Sequence, residues 1–205
     1  MKVYARYFSE DGLNFRRDTI LRFGDSWDVI GAAVLINPGS ARSLAKIDSE
    51  TIIAHLSSIT GHSDCWKEFS ADATMGQLAK IFSGWYAGED RPLNGCVLLF
   101  NLFNLRDKNL TEALELQNNC KSEHLISTKT DIARLAYVDR IYLGWGNTGK
   151  YQLRQYAEPI FEAVKSKCAY LDAAFDNNAF YHPGYINRSY KHNPTTQQTV
   201  KSFSK

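Results

Sequence analysis

Cysteine is scarce and dispersed. The four thiols, Cys65, Cys96, Cys120 and Cys168, form no C-x-x-C pair and no paired spacing, which argues against a secreted disulfide scaffold, a zinc ribbon or an iron–sulfur cluster. Long apolar runs are missing too. The longest, at residues 29–36 and 97–103, fall far short of the roughly 20 residues that a membrane helix needs. The opening stretch MKVYARYF has no signal-peptide apolar core, so a cytoplasmic chain with no membrane contact is expected. Charge of one sign is not in excess: 24 Lys+Arg face 22 Asp+Glu, a net charge of +2 that names no partner. No repeat, charge block or low-complexity tract divides the chain. What remains is 205 residues, 44% hydrophobic and 22% charged. That is one globular domain over 1–205, long enough to bury a sizeable core and expected as a monomer.

Periodicity supplies the elements. Val3, Ala5 and Tyr7 alternate along one face before Asp11-Gly12, and a second β-like stretch follows over 13–23. Residues 1–28 therefore read as a hairpin or edge strands. The run VIGAAVLI is apolar on both faces and ends in Asn37-Pro38-Gly39, the pattern of a central strand covered on both sides. Asp48 or Ser49 then caps a helix with an Ile52, Ile53, Leu56, Ile59 stripe, closed by Gly61. A second helix is predicted around 72–86, and CVLLFNLF after Gly95 is a second buried strand. Helical periodicity runs through 125–137. A third strand at 140–144 stops at Trp145-Gly146-Asn147. The stripe Leu153, Tyr156, Ile160, Val164 predicts a helix that Pro159 kinks or splits. Short strands are predicted at 168–171 and 179–181, the latter running into His182-Pro183-Gly184, with a loose basic tail over 185–205. Alternation of this kind implies an α/β fold, three α/β/α layers around a mostly parallel sheet. In such sheets ligands bind beyond the carboxyl ends of the strands, where Asn37, Asn101, Asn147 and His182 fall.

These strand ends resemble the uracil-DNA glycosylase superfamily. Val34-Leu35-Ile36-Asn37-Pro38-Gly39 resembles the first motif of its mismatch-specific branch, whose G-I-N-P-G turn holds the hydrolytic water. Cys96 through Asn101 resembles the strand ending in the family's base-reading Asn, with Arg106 following as an Arg does there. Ile141 through Gly146 resembles the L-x-W-G strand, and Tyr181-His182-Pro183-Gly184 the start of the H-P-S motif. All occur in the family's order. Departures are specific: Leu35 stands where the branch has Gly, Gly184 where a Ser pinches a phosphate, and Tyr185-Ile186 where a Leu wedge is usual. No Asp follows the first strand to activate water. The chain is also similar to small bacterial and phage proteins of unknown function, sharing N-P-x-x-A and N-L-F-x-x-R (Asn101, Leu102, Phe103, Arg106).

The resemblance implies a protein of DNA repair that hydrolyses the N-glycosidic bond of a damaged or mispaired base, with DNA or a nucleotide as partner. The base must leave the stack to be reached. Asn37, an amide and no strong base, would position water, or simply make an Asx-type turn. Asn101 offers one acceptor and two donors to a pyrimidine edge. His182 would donate to a base oxygen as negative charge develops there. Gly39 and Ser40 belong to a small-residue turn able to face an anion, and Arg106 would contact phosphate. Over 177–205 there is no Asp or Glu. Arg188 stands there among aromatics that include Tyr185, a pattern suited to backbone neutralisation and base stacking. His62 and Cys65 have no second pair to complete a metal site, so neither metal nor cofactor is expected. Two rivals share the fold: a non-catalytic module binding nucleic acid or protein, and an enzyme of small nucleotides or sugar phosphates using the 37–41 turn as an anion cradle.

Overall fold

Asp11 and Gly12 adopt positive φ, 49° and 75°, the backbone of a two-residue hairpin turn. They join β1 (Lys2–Glu10) to β2 (Leu13–Phe23), with Glu10 opposite Leu13 and Lys2 opposite Arg22. The computed structural model describes residues 1–107 and 109–204, without the side chains of Asn187, Arg188 and Ser189. The expected contact Arg188 therefore lies outside the described residues.

Five further strands complete one sheet: β3 (Val29–Leu35), β4 (Ser43–Lys46), β5 (Trp66–Phe69), β6 (Gly95–Asn101) and β7 (Ile141–Leu143). Their order is β4-β5-β1-β2-β6-β3-β7. Only β6-β3-β7 is parallel; the other four pairings are antiparallel. The α/β class stands, but the expected mostly parallel sheet does not. The cause is the hairpin, which sits mid-sheet rather than at an edge. Its tight turn forces antiparallel pairing of β1 with β2, and β2 then joins β6 while β5 and β4 extend the other side.

Helices cover both faces. One core gathers β3 residues Ala32 and Val34 with α1 (Glu50–Thr60), α3 (Leu110–Asn119), α4 (Lys129–Ala136) and α5 (Arg154–Val164). The other gathers Ala33 and Leu35 with α2 (Ala73–Phe82), α6 (Pro183–Ser189) and α7 (Pro194–Ser204). The unbroken apolar run of β3 reflects this two-sided cover. Gly31 is required where α2 crosses it: a Cβ there would stand 2.3 Å from a Phe82 ring carbon.

Several expectations are corrected. Residues 168–171 and 179–181 form no strand. The free side of β7 is instead occupied by the Tyr170 hydroxyl, which accepts from Leu143 N–H at 2.9 Å and donates to Ile141 C=O at 3.0 Å. The tail is not loose: α7 buries Val200 and Phe203, whose ring packs edge-on against Phe82, Tyr142 and Tyr170. Pro159 lies inside one continuous α5 rather than between two helices. The helix expected over 125–137 begins only at Lys129, where Thr128 and Asp131 form a capping box. Among the described residues no helix is long and apolar enough to cross a membrane.

Candidate functional site

Beyond the carboxyl end of β3 the chain must turn at once, and Gly39 does so with φ of 66°. The turn forms one wall of a cavity of about 260 Å³, to which Asn37, Gly39 and Ser40 all contribute. The first turn of α2 and the start of α6 form the opposite walls, and Arg16 of β2 reaches in from the sheet. A second cavity of about 370 Å³, lined by Trp145, Gly146, Asn147 and Phe180, adjoins it across His182 and Tyr185. Residues more than 140 positions apart in sequence thus share one mouth.

Asn37 is half-buried and donates from Nδ2 to Asp107 C=O at 3.1 Å. One of its two amide hydrogens is thereby committed, which leaves the carbonyl and the second N–H to offer a ligand. His182 caps α6: its Nδ1 accepts from Gly184 N–H at 3.2 Å. An accepting Nδ1 leaves the proton on Nε2. Burial pushes the ring down to about 4 against the opposing pull of Asp72, so the neutral form prevails near pH 7. Gly184, standing where the resembled family has Ser, has little room for more: a Cβ would lie 3.2 Å from His182 Nδ1. Leu35 lines the cavity and is buried, occupying floor that a glycine would leave open. Tyr185 is exposed at the rim, edge-on to His182 with centroids 5.8 Å apart.

Other candidates lie elsewhere. Asn101 ends β6 opposite Leu35, is buried, and lines neither cavity; its side-chain oxygen has no partner among the described residues. Arg106 donates from Nη2 to Ala41 C=O at 3.2 Å, pinning the 37–41 turn from behind. Of the aromatics near the C-terminus, Phe180 is buried and Tyr190 bonds Tyr86 C=O through its hydroxyl, so both serve packing rather than stacking on a ligand.

Two cavity residues escaped sequence reasoning. Asp72 caps α2, its Oδ1 accepting from Met75 N–H at 2.9 Å. Its Oδ2 lies 3.8 Å from where a Cβ on Gly39 would stand, against the 37–40 turn. A carboxylate is therefore present, supplied by a helix start rather than by the strand end. The D-A-T-M spacing marks the cap, but nothing local marks its neighbour. Arg16 is only 1% exposed; its Nη2 bonds Pro38 C=O while Nε and Nη1 have no partner among the described residues. Burial lowers it to about 10, with Asp72 opposing and Arg106 reinforcing the fall. It remains a cation at neutral pH.

Among the described residues no group of three His, Cys, Asp or Glu is placed to hold a metal ion. No family model, no curated protein and no solved structure matches the chain. Its own geometry defines an α/β protein with a cavity that gathers Arg16, Asn37, Asp72 and His182 at the carboxyl end of its parallel strands.

Proposed function

We propose that this chain is a nucleobase-directed hydrolase that cleaves the bond between a base and its sugar, in DNA or in a nucleotide. Asn37, Asp72 and His182 meeting on one cavity beyond β3 is the observation that carries the reading. The likeness to uracil-DNA glycosylases is part of the proposal and applies to the parallel β6-β3-β7 portion, where the resembling motifs follow the strands.

Loss of a base leaves positive charge on the sugar and negative charge on the base. The Asn37 carbonyl orients the attacking water. Asp72 accepts the water's proton and stabilises the sugar cation, filling the role of the missing strand-end carboxylate. Neutral His182 donates from Nε2 to the departing base, where its dipole gains most as charge develops. Tyr185 at the rim offers a ring face to the base, and the second cavity, adjoining the first across His182, offers it room.

Release of free base from DNA carrying uracil, mispaired thymine or deaminated purines, single- and double-stranded, and from nucleotides, tests this. Asp72→Asn and His182→Ala are expected to lower turnover by about 10²–10⁴ each, the range of positioned acid–base groups. Undiminished release by both variants removes their roles. DNA binding that weakens steeply with salt, with no base released from any substrate, reassigns the chain to a recognition module.

A further inference from the structure

Adjacent arginines in β2 point to opposite faces and meet opposite fates. Arg17 donates to Asp131 at 2.8 Å, and that carboxylate is also bonded by Arg134. Arg6 and Arg134 share Asp18. On the other face Arg16, 1% exposed against 9% for Arg17, makes no ion pair, and two of its nitrogens are unpartnered among the described residues. Its neighbours compensate only in part: Pro38 C=O accepts one bond, and the guanidinium lies 5.4 Å from the Phe69 ring centroid. Asp72 is the carboxylate whose charge reaches it, yet the two form no ion pair among the described residues. A buried cation without a counter-ion costs several kcal/mol, and such an arrangement persists where a ligand completes it.

We infer that Arg16 anchors a phosphate subsite on the inner wall of the first cavity, so that the substrate is a nucleoside monophosphate held by its terminal phosphate. This rests on the base–sugar reading for the nature of the rest of the substrate. The chemistry of the wall fits an oxyanion. Arg16 supplies charge-assisted donors, Ser40 a hydroxyl, and the first turn of the ten-residue α2, at Ala73 and Thr74, backbone N–H groups at the positive end of its dipole. Arg106 adds positive field from behind the turn. Among the described residues Asp72 is the carboxylate that lines this cavity, and with His182 neutral it is set against the charge of Arg16, with that of Arg106 behind.

A terminal phosphate is favoured over the backbone of a nucleic acid by access. Arg16 is 1% exposed inside a space of about 260 Å³. A phosphomonoester has one ester link and enters end-on. A phosphodiester carries sugar on both sides and would have to thread a strand through that space.

Inorganic phosphate is the probe. Thermal unfolding of the full chain is followed while phosphate replaces chloride at constant ionic strength. A saturable rise in Tm is expected, with phosphate affinity falling at least about tenfold in Arg16→Met, equivalent to 1.4 kcal/mol. Thr74→Asp provides a second variant, since an acidic residue in a first helical turn is compatible with folding. It is expected to abolish the phosphate response while Arg16 is intact. No saturable response in the wild-type chain, or one that survives Thr74→Asp, overturns the subsite. A response to oligonucleotides without one to inorganic phosphate does the same, because it names a backbone phosphodiester. Base release separates the two ideas. Phosphate binding with no base released from any nucleotide leaves the subsite standing and removes the hydrolase. Equal release from nucleosides and nucleoside monophosphates, unaffected by phosphate, leaves the hydrolase and removes the subsite.

Discussion

Asp72 holds a helix and, in the proposed reaction, a proton; two substitutions pull these apart. Asparagine caps a helix about as well as aspartate, whereas alanine at an N-cap costs about 0.5–2 kcal/mol. Asp72→Asn keeps an oxygen for Met75 N–H, bonded at 2.9 Å in the native chain. It loses only the favourable charge at the helix start, about 0.3–1 kcal/mol. Asp72→Ala loses both. For a chain of this size 1 kcal/mol moves Tm by roughly 2–4 °C, so the Ala variant should melt about 2–12 °C lower and the Asn variant about 1–4 °C lower. Base release behaves differently, because both variants lack the carboxylate and both should lose it alike. Calorimetry on the two proteins, paired with the base-release assay, reads the split directly. An Asn variant as unstable as the Ala variant would show that the charge, facing Arg16, is structural. An Asn variant with full turnover would remove Asp72 from the chemistry.

Three further outcomes follow from the packing and the titrating groups. Gly31→Ala places a Cβ 2.3 Å from Phe82 and 3.0 Å from Arg140 C=O; overpacking of this kind costs about 1–3 kcal/mol, to be read as a lower urea midpoint with unchanged m. Asp131 resists the upward push of burial because Thr128 bonds it and Arg17 and Arg134 face it, holding its carboxyl below the ordinary value. Its contribution is therefore present above that ordinary value of 3.8 and lost as pH falls through the depressed one, and Asp131→Ala, which strands Arg17, should cost about 3–5 kcal/mol by denaturant unfolding. His182 falls from 6.5 to about 4 through burial, so between those values the unfolded chain holds a proton that the folded chain does not. Stability is full above pH 6.5 and declines toward pH 4; His182→Gln should flatten this slope, and an unchanged slope would place the ring in solvent.

The turn-to-turn skeleton of the fold was legible because local rules wrote it. Asp11-Gly12 made a hairpin, Ser49 capped α1, Gly61 closed it with φ of 80°, and the double-faced run of β3 became a central strand. What was not legible depended on partners distant in sequence. β4 and β5 are four residues each, and β4 is exposed throughout, so neither carries a periodicity long enough to detect. The hairpin alternates like an edge element, yet its second strand pairs with β6 along its far edge and buries residues in the cores on both faces. Strand order is a property of what joins what, and alternation alone does not report it.

The same division runs through the site. Asn37, Gly39 and His182 sit at strand ends and helix starts, where their surroundings in sequence announce a turn. Arg16 is announced by nothing. It stands in the tetrapeptide Phe15-Arg16-Arg17-Asp18, where nothing local distinguishes one arginine from the other. The two-residue period of a strand puts them on opposite sides of the sheet. One side holds Asp131, delivered by α4, and there the charge is matched within the chain. The other holds the 37–40 turn and the start of α2, whose carboxylate is bonded to its own helix and forms no ion pair with the guanidinium among the described residues. The neighbouring pair thus serves as its own control. Arg17 shows what this fold does with a buried arginine that is structural, and Arg16, its more deeply buried neighbour in the same strand, has been left without that treatment where the cavity opens.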